Sequence, residues 1–163
     1  MKNKESIYPP IGMCGEIPKG MPENVHLFVH TPYEGQQKIN GNLSIHNNPI
    51  IPIRFLYGNK KSDWINAMID TGSFYSLAKR KIFDSFGLNP IGYSEADMIE
   101  DGNVLLETYA CGFQIASLQM AFSTLFPLLK ESFQYDAIIG SHIFDIADLH
   151  IHGKEKTFEL IFR

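Results

Sequence analysis

Ala67-Met68-Ile69-Asp70-Thr71-Gly72-Ser73 places a carboxylate, two hydroxyls and a glycine directly after a run of apolar side chains. A carboxylate at the end of a buried strand is held in one place, where it can take a proton from water or give one to a substrate. Gly72 permits a tight turn and close backbone approach, and its amide can donate to the carboxylate. The Thr71 hydroxyl can tie the loop to neighbouring backbone. The Ser73 hydroxyl can donate to the ionised Asp70, which would favour the charged form. A strand running into an ordinary Asp-Gly turn has the same local composition, so the segment alone does not establish a function.

The elements around it must supply rigidity. Trp64 to Ile69 reads as the strand that delivers Asp70. Leu43 to His46 and Ile50 to Tyr57 flank Asn47-Asn48-Pro49 and read as a hairpin. Met98-Ile99-Glu100 and Asn103-Val104-Leu105 flank Asp101-Gly102, which predicts a two-residue hairpin turn. Phe113, Ile115, Leu118, Met120 and Phe122 alternate at period two around Ala116-Ser117. Leu149 to His152 and Thr157 to Phe162 form another hairpin across Gly153-Lys154. Ser76 to Phe86 reads as a helix with Leu77, Ile82, Phe83 and Phe86 on one face and Gly87 as its C-cap. Ser141 to Ala147 is long enough for one short turn of helix. Upstream, Val25 to His30 is a candidate strand and residues 33–42 read as a polar loop. Many short strands with little helix predict an all-β closed or sandwich-like sheet.

Downstream of Asp70 by 65 positions (135 − 70) begins Tyr135-Asp136-Ala137-Ile138-Ile139-Gly140, followed by Ser141-His142-Ile143-Phe144. Together with Asp70-Thr71-Gly72-Ser73, this resembles the retropepsin-like aspartic proteases over about residues 50–162. The resemblance implies a closed β-barrel of the acid protease fold with one or two short helices. It implies that Asp70 is the catalytic residue, with Thr71, Gly72 and Ser73 forming the active-site loop. Ile138, Ile139 and Gly140 would pack behind that loop. A flap carrying Ile99, Asp101, Gly102 and Asn103 would bind an extended peptide substrate. Two departures stand out: Ser141 occupies a position where retroviral members often have Arg, and Phe74 and Tyr75 stand where they often have acidic residues. The ion pair that commonly braces the dimer is therefore expected to be absent.

Hydrolysis of this class needs two carboxylates facing each other over one water, sharing a proton because both cannot ionise at that distance. The chain contains one Asp-Thr-Gly. Asp136, Asp145 and Asp148 read as turn or cap residues. The second carboxylate is thus expected from Asp70 of another copy, in a homodimer with two-fold symmetry. The rival expectation is a retropepsin-like domain without activity, used for dimerisation or peptide binding.

Length and composition bound the alternatives. The 163 residues suit one domain, assigned to 46–163, after an N-terminal arm or extension over 1–45. A net charge of −4 without any basic block argues against nucleic acid as a partner. No apolar run approaches the length of a membrane span. Cys14 and Cys111, far apart, read as thiols of a reducing compartment, which points to a cytoplasmic protein. His26 and His30, or His150 and His152, lack the companions a metal site needs, so neither metal nor cofactor is expected. No G-x-S-x-G elbow or phosphate loop is present. Phe122, Phe126, Leu128, Leu129 and Phe133 are expected to wall a substrate groove or a dimer contact.

Overall fold

A computed structural model describes residues 28–29, 35–98, 102–118 and 120–163. The first strands are β1 (Phe28–Val29), β2 (Gln37–Asn42), β3 (Ile50–Tyr57) and β4 (Lys60–Lys61). β5 (Ile65–Ile69) and β6 (Leu77–Ala78) follow, then the helix α1 (Arg80–Phe86). β7 (Gly92–Met98), β8 (Gly102–Ile115) and β9 (Ala121–Pro127) run as an antiparallel meander. β10 (Ala137–Ile139) leads into a 3-10 helix (Ser141–Asp145), β11 (Ala147–His152) and β12 (Thr157–Phe162).

The larger sheet runs β1-β9-β8-β3-β5-β10-β6, with β4 beside β3 and β7 beside β8. It curls into a nearly closed barrel. A smaller sheet has the order β11-β12-β2. Period-two burial shows why these segments are strands. Ile51, Ile53 and Phe55 are buried on β3 while Pro52 is exposed, and Phe122, Thr124 and Phe126 are buried on β9. On β12 the buried set is Phe158, Leu160 and Phe162. The inward aromatic rings interlock: Phe83 stacks on Tyr109 at 4.2 Å, Phe55 meets Phe126 edge-on at 5.1 Å, and Phe113 stacks on Phe122 at 5.1 Å. Each such side chain contributes about 1.5–3 kcal/mol by leaving water.

Four sequence expectations change here. Residues 37–42, expected within a polar loop, form β2, paired residue for residue with β12. Only Ile39 of that strand is buried, so its apolar alternation is too sparse to read. Gly41 is also part of it, because a Cβ there would lie 2.4 Å from the Phe158 ring. With β1 on the edge of β9, both sheets thus draw strands from the 1–45 segment. The helix begins at Arg80 rather than Ser76, since Leu77 and Ala78 pair with β10. Its end at Gly87, left-handed at φ 72°, is as expected. Pairing of Met98 with Gly102 and Asp97 with Asn103 puts Gly102 and Asn103 at the start of β8. Gly102, left-handed at φ +70°, therefore belongs to the strand and not to a two-residue turn with Asp101. Ile99 and Asp101 lie outside the described residues. Finally, Phe122 and Phe126 belong to the main core and line no groove.

Candidate active site

β5 is hydrogen-bonded to β3 on one side and runs parallel to β10 on the other, with Ala67, Met68 and Ile69 opposite Ala137, Ile138 and Ile139. β6 then pairs antiparallel with the far side of β10. β10 is therefore inserted between the two strands that flank the loop 70–76. Side-chain type explains how three strands fit so closely. Ala67, Ile69, Ala78, Ala137 and Ile139 enter the main core, while Met68, Leu77 and Ile138 form a second buried cluster with Leu129.

The end of β10 and the segment after it hold the loop at four consecutive residues, 139–142. The Ile139 carbonyl accepts the Asp70 amide at 2.9 Å, and the Gly140 amide donates to Ser76 Oγ at 3.1 Å. The Ser141 amide donates to the Ser73 carbonyl at 2.7 Å. His142, buried, lies 3.3 Å from the Phe74 carbonyl through Nδ1 and 3.1 Å from Ser76 Oγ through Nε2. Gly140 fits because it has no side chain: a Cβ would stand 2.4 Å from the Tyr75 carbonyl oxygen and 2.9 Å from that of Ser73.

Within the loop, the Gly72 amide donates to Asp70 Oδ1 at 2.9 Å, which fixes the orientation of the carboxyl group. Asp70 is half-buried, and Thr71 and Gly72 are exposed. The Ser73 hydroxyl donates to the Tyr75 carbonyl at 2.7 Å instead of to Asp70. The expected Ser73–Asp70 bond is thus replaced by one to a carbonyl two residues ahead, which tightens the loop. The Thr71 side chain makes no hydrogen bond among the described residues, so it does not tie the loop to its own chain's backbone.

The hairpin β7/β8 stands over the second cluster. Cross-strand partners share a face, so Ser94, Ala96, Val104 and Leu106 line one side, and Tyr93, Glu95, Leu105 and Glu107 the other. Leu106 packs against the second cluster, as do Ile50, Tyr75, Phe133 and Tyr135. Tyr93 and Leu105 on the opposite side are 69% and 66% exposed. At the hairpin's base, Arg80 of α1 donates to Glu107 and, at 3.0 Å, to the Tyr109 hydroxyl. The Tyr109 hydroxyl donates to Glu107 at 3.1 Å. The Arg80 guanidinium holds the Glu107 carboxyl below the usual range. Burial, with the Glu107 bond, pushes the Tyr109 phenol up.

Sequence reasoning did not single out Ser76, His142 or the Lys79–Asp136–Lys81 group. Asp136, read as a turn or cap residue, accepts from Lys81 at 2.7 Å and lies 3.3 Å from Lys79, joining the start of β10 to α1. Gly140-Ser141-His142 stands beside a recognisable motif, yet no local spacing shows that the imidazole reaches back to residues 74 and 76. Among the described residues no three His, Cys, Asp or Glu side chains cluster as metal ligands, and no helix is long and apolar enough to cross a membrane.

The nearly closed barrel, with a strand inserted between the arms of an Asp-Thr-Gly loop, matches a retropepsin-like fold. The chain is similar to the crystal structure of a retropepsin-like aspartic protease from Rickettsia conorii, with a TM-score of 0.56 at 12% identity. The match covers 78% of this chain and 93% of that one. No protein-family model matches the sequence, and no curated protein does.

Proposed function

We propose that the protein is an aspartic endopeptidase, with its site formed by Asp70 from each of two copies in a homodimer. The observation that carries this reading is the Asp70 loop itself, which four residues of a single inserted segment hold in place within a retropepsin-like fold. Thr71, Gly72 and Phe74 are exposed, so the loop presents a side by which a second copy can approach.

Two facing Asp70 carboxyls share one proton. The ionised member takes a proton from a water as it attacks the scissile carbonyl, and the protonated member donates to the carbonyl oxygen. The Gly72 amide at Oδ1 holds the carboxyl in a fixed orientation. The peptide lies extended between loop and hairpin, where Ala96, Val104 and Leu106 offer apolar contacts. The tip of the hairpin (Ile99, Asp101, Gly102, Asn103) closes over it and excludes water. Neither cofactor nor metal takes part. We place the enzyme in the cytoplasm on its two cysteines, which stand far apart in the chain.

The test is cleavage of a denatured protein by wild type and by Asp70→Asn. The amide is nearly isosteric but can neither accept the water's proton nor share one. Cleavage is expected to drop to the blank while circular dichroism and dimer mass stay unchanged. Specific activity of the wild type is expected to fall on dilution through the dimer's dissociation range. Wild-type cleavage by the Asn variant refutes the mechanism, and linear activity from demonstrated monomers refutes the shared site. A wild type that binds peptides without cutting them supports a silent binding domain instead.

A further inference from the structure

The hydrogen bonds around His142 fix more than its position. A carbonyl oxygen only accepts, so the 3.3 Å contact between Nδ1 and the Phe74 carbonyl places the proton on Nδ1. Ser76 Oγ accepts the Gly140 amide at 3.1 Å, and with a neutral imidazole protonated on Nδ1 its own hydrogen is the one available to the 3.1 Å contact with His142 Nε2. Gly140 N–H to Ser76 Oγ–H to Nε2, then Nδ1–H to Phe74 O, is a single directed chain of donors. Ser76 is fully buried and His142 nearly so. A buried polar chain with one consistent direction locks its members more firmly than separate surface bonds.

The chain's place gives it consequence. Phe74 and Ser76 are the last turns of the loop that begins at Asp70, and the other anchors of that loop are main-chain bonds at Asp70 and Ser73. We infer that His142 is a positioning residue for Asp70, acting as a neutral imidazole protonated on Nδ1 that holds the far end of the active-site loop. The catalytic part of this inference rests on the aspartic endopeptidase reading; the tautomer and the loop restraint do not. Without the imidazole, the links from residue 142 to the Phe74 carbonyl and to the buried Ser76 hydroxyl are lost and the loop relaxes. A carboxylate displaced by about 1 Å from productive geometry loses about a hundredfold in rate.

Two measurements on the full chain test this. First, long-range nitrogen–proton NMR of the wild type at neutral pH is expected to show His142 protonated on Nδ1 and bare on Nε2; the reverse tautomer overturns the inference, whether or not the protein is a protease. Second, His142→Leu is compared with His142→Asn, whose amide nitrogen falls near the place of Nδ1 and still reaches Phe74, and with His142→Gln, whose amide falls nearer Nε2. The expected result is a fall of about ten- to a hundredfold in kcat for the Leu variant, KM within about threefold, and recovery of most of the loss in the Asn variant but less in the Gln variant. If no variant or wild type cleaves anything, amide exchange reads the same restraint. Gly140, Ser141 and Asp70 amides should exchange faster in the Leu variant than in the Asn variant, with the β11/β12 amides unchanged. Wild-type kcat in the Leu variant, or unchanged exchange at the three amides, overturns the inference. Should the Leu variant fail to fold, the tautomer and the Asn–Gln contrast decide alone.

Discussion

The loop 70–76 and the hairpin β7/β8 both adjoin the second buried cluster, through Tyr75 and Leu106, and they are held in opposite ways. The loop takes bonds from four consecutive residues, 139–142, and its backbone lies so close to Gly140 that a methyl group has no room. The hairpin grows from one strand with two characters. β8 from Thr108 to Gln114 is paired on β9, with Phe113 and Ile115 fully buried. From Gly102 to Leu106 it pairs with β7 alone, and Gly102, Asn103 and Leu105 are exposed. A two-stranded ribbon with one apolar face is marginal by itself. It gains its stability from Leu106 on the second cluster and from the Arg80–Glu107–Tyr109 bonds at its base. On the proposed reading, the difference suits a carboxylate that must stay still beneath a hairpin that admits and covers a peptide.

The sharpest way to break the contrast is Gly140→Ala. φ −80° and ψ 179° suit any residue, so the effect comes from space alone. The added methyl meets main-chain atoms, which cannot swing aside as a side-chain end can. Destabilisation of about 1–3 kcal/mol is expected. A loss of activity of about a hundredfold or more should accompany it, because the atoms displaced are those of the Asp70 loop. Denaturant midpoints and kcat/KM check both. A stable, fully active Ala variant would show that the loop yields as easily as the hairpin.

A smaller effect, with a pH signature, is expected where β10 begins. Lys81 first, and Lys79 with it, hold the Asp136 carboxyl below its ordinary 3.8 against the opposing effect of burial. The folded state thus binds this proton more weakly than the unfolded chain does. The group's contribution is complete above its ordinary value and is lost as pH falls through the lower folded one. Asp136→Asn should cost about 1 kcal/mol near neutral pH, and the two melting curves should converge as pH falls through the lowered value of the folded state. A difference that persists in acid would assign the effect to packing rather than to the ion pairs.

What the sequence made legible follows the range of the interactions. Asp70, its strand and the Gly72 amide bond are local, and apolar strand, carboxylate and glycine stand next to each other in the chain. The β11/β12 hairpin is equally plain, since period-two burial from Phe158 to Phe162 needs no partner to be seen. β2 was hidden because one buried side chain, Ile39, carries its core contact while its main chain makes the ladder. Leu77 and Ala78 fit the apolar face of a helix as well as a buried strand, and only the arrival of β10 decides for the strand. The Ser73 hydroxyl had two acceptors in reach, and the motif alone favoured the wrong one. His142 was out of reach altogether, since its partner Ser76 is 66 positions away.

The smallest expected effect tests the hairpin from its outer side. Leu105 and Leu106 are neighbours of the same type on opposite faces, one 66% exposed and the other packed on the second cluster. Leu106→Ser removes apolar contact with that cluster and strands a hydroxyl there, so a measurable loss of stability is expected. Leu105→Ser removes a side chain that is already mostly in water. Its cost should stay within about 0.5 kcal/mol, as for most surface changes away from special features. Thermal melts of both variants at the same protein concentration give the comparison directly. If the Leu105 variant instead loses as much as the Leu106 variant, the outer face of the ribbon is covered in solution. A second copy of the chain would then be sought there by repeating the melts across a dilution series, since only an intermolecular contact makes the cost depend on concentration.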